Sequence, residues 1–189
     1  MMKYKVILSS NSPRRKELLA GLDIDFSVRV MPDIDESYPD DLPVREIPQY
    51  ISRKKAEAYL KAIADDELVI TADTVVVLDH EVLGKPANRD EAVAMLRKLS
   101  GKKHQVITGV CLTTLKKQHS FEVITNVTFK ALTEAEISYY VDKYQPYDKA
   151  GAYGIQEWIG YIGVTSLEGS YFNVMGLPVQ RIYAEMQRF

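Results

Sequence analysis

The chain has 189 residues, 46% of them hydrophobic and 26% charged, with a formal net charge of −2. That length allows one domain burying roughly 70% of its unfolded surface. The charge balance argues against a broad nucleic-acid or membrane-binding surface, so phosphate recognition has to be local.

Val6-Ile7-Leu8 reads as a strand and Glu17 to Leu22 as an apolar helical segment. Between them, Ser12 is a good N-cap and Pro13 a good first helical residue. Arg14 and Arg15 therefore occupy the first turn, at the positive end of the helix dipole, where acids are normally preferred. An anion held by the free backbone N–H groups, the serine hydroxyls and both guanidinium forks would reverse that sign. The alternative is solvation, or pairing with acids such as Glu17. Phe26 to Val30 reads as a strand, and Asp33-Ile34-Asp35-Glu36 follows it. Such an acidic loop is either solvated or, near a phosphate site, suited to a magnesium ion.

A helix is expected from near Pro48 to about Ala64, with Ile47, Ile51, Ala58 and Ala62 on one stripe that Lys55 interrupts. Lys55 either snorkels past the apolar face or points into a cleft that needs a positive charge. Arg53 and Lys54 point elsewhere and read as solvated. Leu68 to Leu78 is a strand, apolar except at Thr71, Asp73 and Thr74. Burying an unpaired carboxylate is costly, so Asp73 is paired, neutral, metal-bound or at the strand's exposed mouth. It is either a structural aspartate bonded to nearby hydroxyls and amides or a catalytic or metal-ligating one. Gly84-Lys85-Pro86 then sets a lysine between a flexible and a rigid residue, a pattern that most often leaves the lysine facing solvent.

Asn88 caps a helix with Glu91 three residues on, and Ser100-Gly101 ends it. Val106 to Leu115 and Phe121 to Lys130 read as long paired strands, and Cys111 falls in the first as a buried, inert thiol. Thr133 with Glu136 forms a second capping box opening a helix to about Tyr144, and Pro178 opens a last helix to Phe189. Between these helices, Asp148-Lys149-Ala150-Gly151-Ala152-Tyr153-Gly154-Ile155-Gln156 allows close backbone approach at its glycines. Gln156 carries both a donor and an acceptor, as reading a base edge requires, or is simply a surface residue. Helices and strands alternate without strict βαβ order, which predicts an α/β fold with a mixed sheet.

One cysteine excludes an internal disulfide framework, no apolar stretch approaches the ~18 residues of a membrane span, and no signal-peptide core is visible. A cytoplasmic protein is expected. His80, His104 and His119 lack metal-ligand spacing, and no P-loop or dinucleotide-binding glycine fingerprint is present.

In this order, several segments resemble the Maf family of nucleoside triphosphate pyrophosphatases. They are Ser10 to Leu19, Lys55-Ala56, Thr71 to Val75, Gly84-Lys85-Pro86, Ala92 to Gly101 with His104-Gln105-Val106, Thr108-Gly109-Val110, Thr125 to Phe129, Asp148 to Gln156, Gly169-Ser170-Tyr171 and Gly176-Leu177-Pro178. The resemblance covers nearly the whole chain. It implies a mixed central sheet flanked by helices, with two lobes around a cleft as in the inosine triphosphatase fold, and a possible homodimer. It also implies hydrolysis of a nucleoside triphosphate to the monophosphate and pyrophosphate with a divalent cation, Mg or Mn. Carried over by position, Ser10, Arg14, Arg15, Lys55 and Lys85 would hold phosphates. Glu36 and Asp73 would serve metal and water, with Asp73 the proton acceptor; Asp35, next to Glu36, competes for that place in the alignment. The segment ending at Gln156 resembles the branch acting on dTTP and UTP, with Arg14, Thr74 and Gln156 associated with substrate choice. Trp158 stands where that branch usually has small residues, and either stacks on the substrate or merely packs. Ser9, where the family often has Ala, is expected to matter little. The rival readings are a nucleotide-binding regulator with little turnover and a pyrophosphatase for a modified purine such as 7-methyl-GTP.

Overall fold

Val6, Ile7 and Leu8 are buried in β1 (Lys5–Leu8), which runs parallel to both β2 (Phe26–Val28) and β3 (Glu67–Leu78). A computed structural model describes residues 3–189. β3 also forms an antiparallel hairpin with β4 (Glu81–Leu83), turning at Asp79 and His80, both with positive φ. β5 (Lys103–Thr113), β6 (Gln118–Phe129) and β7 (Val164–Glu168) complete a seven-stranded sheet ordered β2-β1-β3-β5-β6-β7, with β4 attached to β3. β6 and β7 are antiparallel, so the sheet is mixed, as the alternation of elements predicted.

The helices are α1 (Pro13–Ala20), α2 (Ile47–Glu57), α3 (Arg89–Leu99), α4 (Glu134–Tyr144), α5 (Trp158–Gly163), α6 (Tyr171–Met175) and α7 (Val179–Met186). The capping signals act where expected. Asn88 accepts from the Glu91 amide, and Thr133 with Glu136 forms the full reciprocal box. The chain divides into two compact units. One contains residues 1–74, 108–123 and 176–189, and the other contains residues 75–107 and 124–175. Among the described residues, no helix is long and apolar enough to cross a membrane. Cys111 is fully buried and burial pushes its thiol up to about 11, so it is inert as predicted.

α2 departs from expectation. It stops at Glu57 instead of reaching Ala64, and Ala58 and Ala62 are exposed. After Glu57 the chain turns through three-residue hydrogen bonds, Tyr59 N to Ala56 O and Ala62 N to Tyr59 O. This swings Tyr59 and Ile63 into a cluster with Ile7 and Val69. Burying a tyrosine and an isoleucine removes far more apolar surface from water than two alanines would.

The start of α2 is pressed onto β5. A Cβ on Gly109 would lie 2.2 Å from the backbone nitrogen of Gln49 and 2.2 Å from the carbonyl carbon of Pro48, neither of which can rotate away. Gly109→Ala should therefore cost about 3 kcal/mol, from overpacking against rigid backbone. Urea denaturation checks this; a loss below about 1 kcal/mol would mean that α2 can slide along the strand.

Candidate active site

In the first unit, β1 delivers the chain to the turn Ser9–Ser12, and α1 begins at Pro13. Ser12 caps the helix by accepting from the Arg15 amide (3.4 Å), and its own amide donates to Ser10 Oγ (3.2 Å). The first turn holds Arg14 and Arg15 and no acidic residue, so the helix start is doubly positive.

Arg15 turns inward. Its Nε donates to the Gly176 carbonyl (2.8 Å), one terminal nitrogen to the Ala72 carbonyl (2.9 Å) and the other to Thr74 Oγ1 (3.1 Å). Three of the five guanidinium N–H donors thus tie α1 to β3 and to the turn before α7. Burial among these neutral acceptors lowers the Arg15 pKa, against the opposing pull of Asp73 and, more weakly, Glu36; an arginine stays charged regardless. Thr74 Oγ1 also meets Thr108 Oγ1 at 2.9 Å, so Thr74 is part of the brace that aims Arg15.

Between Ala72 and Thr74, Asp73 Oδ1 accepts from Lys55 Nζ at 3.0 Å. The same Nζ lies 3.1 Å from Glu36 Oε1. The side chains of Lys55 and Asp73 are only 13% and 15% exposed, whereas Glu36 is 57% exposed. Lys55 therefore does not snorkel to solvent; it bridges the two carboxylates named from the sequence. At the same time Lys54, expected to be solvated, donates to Asp35 Oδ2 and to the Ser37 carbonyl, each at 2.9 Å. Lys54 and the Ser37 side chain and amide hold the Asp35 carboxyl well below the usual carboxylate range. Two adjacent lysines thus separate the neighbouring acids: Asp35 closes on Lys54, and Glu36 meets Lys55 beside Asp73.

Glu36 and Asp73 are two carboxylates directed at one point, and no group of three or more His, Cys, Asp or Glu residues among the described residues forms a dedicated metal cage. That donor set fits magnesium, which takes one or two carboxylates, keeps waters and shares phosphate oxygens with the protein. It does not fit structural zinc.

In the second unit, Lys85 is exposed on the loop after β4, and the Gly84 carbonyl accepts from the Gly151 amide at 3.1 Å. Gly151 has φ +70°, and a Cβ there would meet Val76 Cγ2 at 2.9 Å, so this contact requires glycine. Gln156 lies at the end of the same segment with its side-chain Oε1 buried and without a hydrogen-bond partner.

Tyr140 and Glu157, which the sequence did not single out, hold this segment together with Lys149 inside it. Tyr140 donates to Glu157 Oε2 and accepts from the Gly154 amide (2.9 Å), and Lys149 Nζ lies 3.2 Å from Glu157 Oε1 and 2.9 Å from Asp148 Oδ1. Burial, reinforced by the Glu157 carboxylate, raises the Tyr140 phenol and keeps it protonated as a donor. Nothing in local spacing links positions 140, 149 and 157. Trp158 packs edge-on against Tyr139, with ring centroids 4.8 Å apart.

A mixed α/β sheet that sets a doubly positive helix start beside a lysine-bridged carboxylate pair defines a protein equipped to handle an anionic, phosphate-bearing ligand. The chain belongs to the Maf family, whose pattern, described as Maf-like protein, it matches over residues 5–189. It is 63% identical to a protein of Bacteroides thetaiotaomicron named dTTP/UTP pyrophosphatase, over 98% of this chain and 96% of that one. A Parabacteroides distasonis protein of the same name is 62% identical over 100% of this chain and 98% of its own length. Among solved structures, a dITP/XTP pyrophosphatase of Mycobacterium abscessus is similar at a TM-score of 0.38 and 11% identity, over 66% of this chain and 72% of that one.

Proposed function

We propose that this protein hydrolyses dTTP and UTP at the α–β phosphoanhydride, releasing the nucleoside monophosphate and pyrophosphate. The observation that carries the chemistry is Lys55 bridging Asp73 and Glu36 beside the braced Arg15. The names and high identity of the relatives support the substrate.

Lys55 holds Asp73 Oδ1, so the second carboxylate oxygen is the one to take the proton from an attacking water. The water oxygen bonds to the α-phosphorus, and the bond from that phosphorus to the bridging oxygen breaks. Negative charge then collects on the departing pyrophosphate. Arg14, Arg15, Ser10 and the positive end of the α1 dipole stabilise that charge, and Arg15 needs no reorganisation because three hydrogen bonds already fix it. Glu36 and Asp73 are the residues to hold a divalent cation, Mg or Mn, which when bound neutralises phosphate oxygens. Lys85 takes the phosphate role that family membership suggests. The buried, unpartnered acceptor of Gln156 supports its reading a base edge. The reduced, buried Cys111 accords with a cytoplasmic protein.

Pyrophosphate release measured across dTTP, UTP, CTP, GTP, ITP and 7-methyl-GTP, with magnesium or manganese, tests this reading. The expected result is a kcat/KM for dTTP and UTP at least about tenfold above the others, the discrimination that one well-placed polar contact supplies. Preference for a purine nucleotide would overturn the substrate, and no turnover on any nucleotide would overturn the activity.

A further inference from the structure

The Tyr59 hydroxyl joins three separate segments of the first unit. It donates to the Arg29 carbonyl at 2.6 Å, accepts from the Met31 amide at 3.1 Å and shares a hydrogen bond with Ser9 Oγ at 2.7 Å. A phenol offers one donor and two acceptor positions, so its capacity is filled. The residue is fully buried, and its ring belongs to the cluster of Ile7, Ile63 and Val69 against which Met31 and Ile34 pack.

Each joined segment carries a residue of the proposed site. Ser9 opens the turn containing Ser10. Arg29 and Met31 are the root of the loop containing Glu36. Tyr59 itself follows Lys55 by four residues, in the turn just after α2. Residues 35–41 are exposed and lack regular structure, so the place of Glu36 is decided by what holds the loop at its root. The outer pair, Lys54 with the 70%-exposed Asp35, is the kind of solvent-exposed contact that contributes little by itself. The contacts that partly buried Met31 and Ile34 make with the buried cluster are the stronger anchor, and Tyr59 makes both the polar and part of the apolar one. Ser9, expected to matter little, is 8% exposed and takes part through its hydroxyl.

We propose that Tyr59 is a positioning residue for the pyrophosphatase reaction, fixing the root of the acidic loop so that Glu36 meets Lys55 and Asp73; its activity arm rests on the function proposed above. An ordinary core tyrosine would support stability without acting through Glu36, and a double-mutant cycle separates the two. Tyr59→Phe keeps the ring and removes only the hydroxyl. It should lower kcat for dTTP about tenfold with KM within about twofold, and raise the magnesium concentration for half-maximal rate several-fold. In a Glu36→Gln background the same change should cost less than about twofold, because the partner it acts through is already gone.

Hydrogen exchange in the absence of nucleotide gives an independent reading. The Ser37 amide, bonded to Asp35 Oδ1 at 2.9 Å, should exchange several-fold faster in Tyr59→Phe. Equal losses in both backgrounds, or unchanged exchange at Ser37, would overturn the positioning role. A wild-type protein without turnover would overturn the pyrophosphatase reading instead and leave the exchange result to judge Tyr59. Should Tyr59→Phe fail to fold, Ser9→Ala removes one of the three bonds and keeps the tyrosine. An approximately twofold kcat loss that disappears with Glu36→Gln supports the proposal, and a loss that persists there, or no loss, overturns it.

Discussion

Asp73→Asn should fold normally and lose about 10³-fold in kcat on dTTP and UTP, the scale of removing a positioned general base. Asparagine has nearly the same shape, and its carbonyl oxygen can still accept from Lys55 Nζ, now at 3.0 Å from Asp73 Oδ1. It cannot take a proton from water. Because Lys55 also contacts Glu36 at 3.1 Å, the ammonium keeps a charged partner and the melting temperature should move by only a few degrees. The decisive comparison is kcat by pyrophosphate release beside a thermal unfolding scan of the same preparation. An Asp73→Asn protein that keeps more than about a tenth of wild-type kcat would place the proton acceptor elsewhere.

Lys55→Met should produce two opposite effects. Turnover should fall about 10²-fold, through lost electrostatic stabilisation and lost orientation of Asp73. Affinity for a divalent cation without nucleotide should rise several-fold, because Glu36 and Asp73 would face each other with no ammonium between them. Methionine retains most of the apolar stem of lysine, which is largely buried, so the end of α2 should keep its packing. Calorimetric titration of manganese into the nucleotide-free variant reads the second effect directly. Turnover lost without any gain in cation affinity would mean that the two carboxylates do not form the cation site.

Both predictions rest on side chains whose residue types were conspicuous in the sequence and whose partners were not. Asp73 stood out as a carboxylate in an apolar strand and Lys55 as a charge on a helix face. Each signal left a structural and a functional reading open. They become one site only because β3 and α2 bring positions 55 and 73 to 3.0 Å, and Arg15 reaches Gly176 across 161 residues of sequence. The stripe that drew attention to Lys55 was itself partly wrong, since Ala58 and Ala62 lie outside the helix.

Local interactions set what could be read from the chain alone. The long strands β3, β5 and β6, the capped helices α3 and α4, the reversed charge at the start of α1 and the membership of a family all follow from periodicity, caps and motif order, which act within a few residues. β4, β7, α5 and α6 are three to six residues long and too short to carry a period. Tertiary structure alone decided that Glu36 rather than Asp35 faces Asp73, that Tyr140 and Lys149 hold Glu157, and that Ser9 and Tyr59 bond across 50 residues. The physical reason is that a side chain's residue type limits what it can bond, while its partner is chosen by which distant segments burial brings within about 3 Å.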